Sequence, residues 1–244
     1  MNLRIAGLKT LPEVQPGDRL APLIREAAFR GGYSLDRNTI VVVAQKIVSK
    51  SEGALVDLRT IQPSALALSW AGRWKKDARM IELVLRQSRR IVRMDRGVIV
   101  AETYHGLVTA NAGVDFSNVP GSDVAAVLPE DPDGSARRLR MELECGAVIV
   151  SDTFGRPWRE GLVNVAIGVS GMAAIEDLRG SYECAGKWLN ATLLARADEL
   201  AAAAGLVMPK AGAVPVALIE GYEWARSEGS MRELLRDPES DLFR

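Results

Sequence analysis

Residues 148–171 read Val-Ile-Val-Ser-Asp-Thr-Phe-Gly-Arg-Pro-Trp-Arg-Glu-Gly-Leu-Val-Asn-Val-Ala-Ile-Gly-Val-Ser-Gly, and no other stretch constrains the fold as tightly. The β-branched run 148–150 predicts a buried strand, and the apolar run 162–169 predicts a second one. Between them Gly155-Arg156-Pro157 predicts a turn that keeps Arg156 and Arg159 within a few residues of Asp152. Asp152 and Thr153 follow the first run side by side. A carboxylate beside a hydroxyl is a hard-oxygen pair suited to Mg²⁺ or Mn²⁺. Acid, hydroxyl and guanidinium on a loop between two buried strands describe a polar site on a rigid scaffold. The same residues also describe a tight hairpin in which Asp152 only caps the turn.

Upstream, residues 3–7 predict a short strand and residues 8–18 a loop with Pro and Gly. Residues 20–30 carry helical spacing that ends at Gly31-Gly32. Residues 39–44, Thr-Ile-Val-Val-Val-Ala, predict another buried strand, which empties into a polar segment, 45–53. Lys46 and Lys50 lie four apart in that segment, so both can point at one anionic ligand such as a polyphosphate; a solvated surface pair is the plainer reading. Neither a Gly-x-x-x-x-Gly-Lys-Ser/Thr nor a Gly-x-Gly-x-x-Gly motif occurs, so a nucleotide here would use neither common phosphate loop.

Residues 63–75 and 77–88 have helical periodicity, with Trp70 and Trp74 as core or interface anchors, and residues 89–100 read as a hairpin turning at Asp95-Arg96-Gly97. Residues 103–121 interleave Gly106, Ala110, Ala112 and Gly113 with Thr109 and Asn111, the pattern of backbone that approaches a ligand or strand closely. Asp115 and Asn118 follow, three apart. They suit a metal carboxylate and a nucleotide amide, or equally a capped turn. Residues 123–128 predict a strand, 129–145 a helix with an acidic first turn, and 187–204 the longest helix, closed by Gly205. Residues 206–215 predict a loop, 216–219 a last buried strand, and the tail from 223 a terminal helix.

Composition narrows the function. The chain of 244 residues has 31 basic and 31 acidic side chains, so no basic excess favours nucleic acid. His105 is the only histidine, and Cys145 and Cys184 the only cysteines, which excludes a Cys/His zinc site. Two isolated thiols, no run of about 18 apolar residues and a strand-like N-terminus predict a cytoplasmic protein without signal peptide or membrane span.

Four motifs then occur together: Val48-Ser49-Lys50-Ser51-Glu52-Gly53; Ala110-Asn111-Ala112-Gly113-Val114-Asp115 with Ser117-Asn118; Leu128-Pro129-Glu130-Asp131-Pro132; and Ser151-Asp152-Thr153-Phe154-Gly155-Arg156-Pro157. In this order and spacing the chain resembles the coenzyme F420:L-glutamate ligases, GTP-dependent γ-glutamyl ligases of deazaflavin biosynthesis, over nearly its whole length. The resemblance implies an α+β fold with mixed and antiparallel sheets. It implies one unit over residues 1–244, with room for two intertwined subdomains, no appended reductase domain, and an intertwined homodimer. It implies Mg²⁺ or Mn²⁺, potassium as an activator, GTP as co-substrate, and L-glutamate and F420-0 as substrates.

Carried onto this sequence, the resemblance makes Asp115, Asp152 and Thr153 the metal ligands and Asn118 a nucleotide contact. Gln45, Lys46 and Lys50 fall where the family grips the nucleotide. Leu11, Pro12, Glu13 and Val14, with Met208 and Lys210, fall on the other nucleotide-contacting segments. Asp115, Asp152, Lys50 and Arg156 are the candidate catalytic groups; Lys46 and Lys50, with Arg156 or Arg159, would offset charge as the γ-phosphate moves. Two departures stand out. Pro209 replaces a Gly common in the family, and Lys210 replaces a Gln or Glu ligand of some members; a charged lysine cannot ligate a metal. The same scaffold with another acceptor, such as a folate, and a nucleotide- or deazaflavin-binding protein without turnover are the competing readings.

Overall fold

Two parallel strands at the heart of the main sheet are covered on both faces, which is why they are written as unbroken apolar runs rather than alternating ones. The computed structural model describes residues 2–116 and 123–242. In chain order it contains β1 (Arg4–Gly7), α1 (Leu20–Arg30), β2 (Ile40–Ala44), α2 (Gln45–Ser51), β3 (Leu55–Asp57), α3 (Ala65–Trp74) and α4 (Ala78–Arg86). There follow β4 (Ser88–Asp95), β5 (Val98–Thr103), β6 (Val108–Ala110), β7 (Val124–Ala126), α5 (Pro132–Leu143), β8 (Ala147–Arg156) and β9 (Arg159–Ser170). The chain closes with β10 (Glu176–Asp177), β11 (Leu193–Leu194), α6 (Arg196–Gly205) and β12 (Val216–Glu220).

The main sheet has the order β1-β12-β2-β8-β9. β2 and β8 pair in parallel and the other neighbours antiparallel. Ile40 to Val43 and Val148 to Val150 are fully buried, each such side chain contributing about 1.5–3 kcal/mol through removal from water. α5 packs on β8 and β9, and α6 packs on β9, β1 and β12. Asp133 in the first turn of α5 accepts from Val169 N–H at 2.8 Å and from Met231 N–H at 3.0 Å, fastening helix to strand. The approach is close: a Cβ on Gly168 would lie 2.3 Å from the carbonyl oxygen of Pro132.

A second buried cluster, around Trp70, Ile81, Leu83, Ile99 and Ala101, is built by α3, α4 and the antiparallel sheet β4-β5-β6. β3 pairs antiparallel with β7 beside it. Helices with parallel and antiparallel sheets make an α+β fold. No helix among the described residues is long and apolar enough to cross a membrane.

Four local expectations change. Within the polar segment 45–53 that follows the strand, residues 45–51 form the short helix α2. β8 does not end near Val150; it runs to Arg156, so Asp152 and Thr153 sit inside a strand and not on a loop. The helix expected over 187–204 begins only at Arg196, because residues 187–194 fold back on 176–183 as an arm. Leu189 N–H donates to Ser181 O at 2.9 Å, and Tyr182 meets Trp188 edge-on at 4.8 Å. The expected terminal helix is reduced to 3₁₀ turns at Met231–Leu234 and Pro238–Ser240, the first closed by a Ser230/Glu233 capping box.

Gly168→Ala forces either α5 or β9 to move. Urea unfolding should show a loss of about 1–3 kcal/mol, the usual result of overpacking a tight contact; an unchanged midpoint would mean the contact is slack.

Candidate functional site

Register brings four separate segments to one end of the main sheet. Gly7 is opposite Ala217, Val216 opposite Val43, and Ala44 opposite Ser151. The loop leaving β1, the helix α2 leaving β2, the outer part of β8, and the loop entering β12 therefore lie together. Leu8 N–H donates to Val216 O, and Ala44 N–H to Pro215 O, each at 2.8 Å. β2 stops at Ala44 while β8 continues, so β8 beyond Ser151 pairs with β9 on one side only. The C-terminal ends of the parallel pair thus form a notch, the position where open sheets of this kind bind ligands.

Asp115 enters the notch from the second cluster. Asn111, Ala112 and Gly113 form a left-handed turn with φ of 52°, 51° and 69°, closed by Val114 N–H donating to Asn111 O at 2.9 Å. A left-handed residue other than glycine costs about 1–2 kcal/mol, and such strain concentrates at functional sites. Gly113 is further required by packing, since a Cβ there would stand 2.9 Å from Leu128. Asp115 then exchanges two backbone hydrogen bonds with Ala126, at 2.9 and 2.8 Å. Its carboxylate meets Lys46 Nζ at 2.7 Å.

The electrostatics join the two acids. Burial pushes the Asp152 carboxyl from its ordinary 3.8 up to about 6, and the negative charge of Asp115 pushes the same way. The Thr153 N–H, donating to Asp152 Oδ1 at 2.7 Å, and the ammonium groups of Lys46 and Lys210 pull in the opposite direction. Asp115, Asp152, Lys46 and Lys210 thus share one field. Lys50 is 5% exposed, and its ammonium pairs with the exposed carboxylate of Glu13. In that loop Val14 is buried and Leu11 packs on the core, leaving Pro12 and Glu13 outermost. Met208 also packs on the core, and Lys210 is exposed.

Gln45 is buried and structural on one side: its Nε2 donates to Ser49 Oγ at 2.6 Å and Val127 O at 3.2 Å, while Oε1 has no hydrogen-bond partner among the described residues. Thr153 projects from the opposite face of β8 to Asp152, as neighbours on a strand do, and donates its hydroxyl to Asn164 Oδ1 at 3.0 Å. A group touching both residues must reach round the edge that β2 leaves unpaired. Arg156 is not brought into the notch. Four residues beyond Asp152, roughly 13 Å along a strand, it is exposed at the hairpin tip and donates to Glu160 O at 2.6 Å. Arg159 is exposed beside it. Asn118 lies outside the described residues.

Among the described residues no group of three or more His, Cys, Asp or Glu gathers as a metal cluster. The donor set is two carboxylates and a hydroxyl, all hard oxygens. Two acids whose charges disfavour each other under partial burial form a place where added positive charge is favourable, so the residues fit a divalent cation. Asn164 was not singled out by sequence, and Asp198 with Glu199 read there only as the polar face of a helix. Asn164 had a signal, a lone polar residue inside the apolar run 162–169. Asp198 accepts from Ala166 N–H at 2.8 Å, and burial raises its carboxyl above the usual range.

The model of the F420-0:γ-glutamyl ligase family matches residues 7–221, a span that holds every candidate above. This chain belongs to that family. It is 46% identical to the coenzyme F420:L-glutamate ligase of Methanothermobacter thermautotrophicus, over all of both chains. It is 44% identical to the protein of the same name in Methanopyrus kandleri, over 99% of this chain and 98% of that one. With the corresponding Haloarcula marismortui protein the identity is 37%, over 99% and 96%.

The raised Asp152 carboxyl has a consequence for stability. Its ionised form is disfavoured in the fold, so the penalty is full above pH 6, shrinks as pH falls from 6 to 3.8, and is absent below. Asp152→Asn should therefore stabilise the ligand-free protein at pH 8, by no more than about 3 kcal/mol, and change little at pH 3.5. Thermal unfolding at both values tests it; destabilisation at pH 8 would contradict the electrostatic account.

Proposed function

We propose that this chain is a ligase that joins the amine of L-glutamate to a carboxylate of the deazaflavin F420-0 as a γ-glutamyl amide, at the expense of GTP. The observation that carries the reading is the coupling of Asp115 to Asp152 in the notch, beside two lysines, in a chain of this family. Amide formation in water requires an activated carboxylate. The acceptor carboxylate would attack the γ-phosphorus of GTP, releasing GDP and leaving an acyl phosphate. The glutamate amine, as free base, would then displace inorganic phosphate. Phosphoryl transfer of this kind needs positioning and charge neutralisation more than a protein nucleophile.

The residues divide those tasks. Asp115 and Asp152, with Thr153, would hold Mg²⁺ or Mn²⁺. Such an ion, when bound, neutralises phosphate oxygens and aligns the transferring group. Lys46 neutralises Asp115 in the ligand-free protein and would turn to phosphate once that carboxylate has another partner. Lys50, buried and paired with Glu13, would supply a second phosphate contact. Lys210 adds charge to the same field without donating a ligand. Leu11 and Val14 anchor the loop that would present Pro12 and Glu13 to the nucleotide, and Met208 anchors the loop facing it. Potassium would act as an activating ion.

The reaction is tested by GDP release from the purified chain given F420-0, L-glutamate, GTP and Mn²⁺. Asp152→Ala should lower release at least about 100-fold, the scale of losing a principal electrostatic group. Equal release by the two proteins removes Asp152 from the mechanism. GTP binding without turnover on F420-0 or a folate would leave a binding protein.

The same reading includes a homodimer. Trp158 is 80% and Leu162 61% exposed on the hairpin that outruns the sheet, apolar area of the kind that partner copies cover. Light scattering should give twice the chain mass, and Leu162→Glu should shift the protein toward monomer. A monomeric wild type at micromolar concentration would end the dimer proposal.

A further inference from the structure

Asn164 interrupts the apolar run of β9 and lies directly opposite Thr153 of β8. Opposite residues in an antiparallel pair share a face, with Cβ atoms about 5 Å apart. Thr153 Oγ1 donates to Asn164 Oδ1 at 3.0 Å. The other end of the amide faces α6, where a Cβ on Gly205 would come within 3.1 Å of Asn164 Nδ2. That is the last turn of the helix, where the carbonyls of Ala203, Ala204 and Gly205 accept from the N–H groups of Leu206, Val207 and Met208. The amide oxygen is thus on the Thr153 side and the NH₂ on the helix side.

A hydroxyl has one proton. With that proton given to Asn164, Thr153 offers only lone pairs to any other group, which is the form a cation requires. Were the amide reversed or absent, the hydroxyl could turn its hydrogen toward the cation and oppose it. We infer that Asn164 is a positioning residue that holds the Thr153 hydroxyl as an acceptor for the divalent cation, an inference resting on the cation reading proposed above. Carboxamides and carboxylates that orient direct ligands in this way typically change metal affinity by about 10–100-fold when lost.

The test is uptake of Mn²⁺ alone, followed by the electron paramagnetic resonance of the free ion, in the intact chain. Asn164→Leu removes the acceptor and should weaken Mn²⁺ binding about tenfold or more. Asn164→Asp keeps an acceptor oxygen and should bind as tightly as wild type or tighter. In a Thr153→Val background Asn164→Leu should cost nothing further, since there is no hydroxyl left to orient. Loss of affinity in the Leu and Asp variants alike, in step with their melting temperatures, would reveal a purely structural amide and overturn the inference. Wild-type affinity in Asn164→Leu, with binding abolished in Asp152→Asn, would overturn it while leaving the cation reading intact. If the wild type takes up no Mn²⁺, both fall.

Discussion

The unequal lengths of β2 and β8 are the constraint on which the rest of the molecule depends. The two strands share five register positions, from Ile40 with Ala147 to Ala44 with Ser151. The first then turns into a helix while the second runs on against β9. Everything with chemistry in it is arranged about that parting. α2 carries Lys46 and Lys50 over the gap, the extension of β8 carries Asp152 and Thr153 along it, and the loops next to β1 and β12 close its sides. Burial of the apolar runs holds this frame, with each fully buried Val or Ile contributing about 1.5–3 kcal/mol. Polar groups at its open end can then be held in arrangements that would not persist on a free loop.

Those arrangements work against stability. A half-buried carboxylate at Asp152 faces a second one at Asp115, and the latter is delivered by a turn in which two non-glycine residues are left-handed. The lysines moderate the charge without abolishing the conflict. This is the pattern expected of a site shaped by what it must hold. It also separates the roles of two superficially similar ion pairs. Lys46–Asp115 joins the two halves of the site, whereas Lys50–Glu13 ties a buried amine to an exposed loop.

Much of the frame was legible in the chain itself. The runs 39–44, 148–150 and 216–219 announced buried strands because nothing in them needed water, and α1 appeared with its boundaries intact. The hairpin of β4 and β5 followed from Asp95-Arg96-Gly97. What failed to show were features decided by partners distant in sequence. α2 is too short, and too polar outside its buried side, to display a helical period. Residues 187–194 imitate the start of a helix until they are seen to pair with 176–183. The candidate acids were visible singly, but their proximity depends on register between β2 and β8 and on the route of residues 111–116. Thr153 and Asp152 looked equivalent as neighbours; the strand sends them to opposite faces. The motif resemblance supplied the family where periodicity could not.

The strand order has a consequence for how the protein comes into being. β1 is joined to the sheet only through β12, which lies between β1 and β2 and follows every other described strand along the chain. Until residues 216–220 emerge from the ribosome, one edge of β2, a strand of apolar side chains destined for burial, leaves its backbone N–H and C=O groups without a neighbour. Pairings of such large sequence separation form slowly, and an uncovered strand edge invites association with other nascent chains. The molecule is therefore most vulnerable before residues 216–220 have joined the sheet, while β1 and β2 are still without the strand that lies between them.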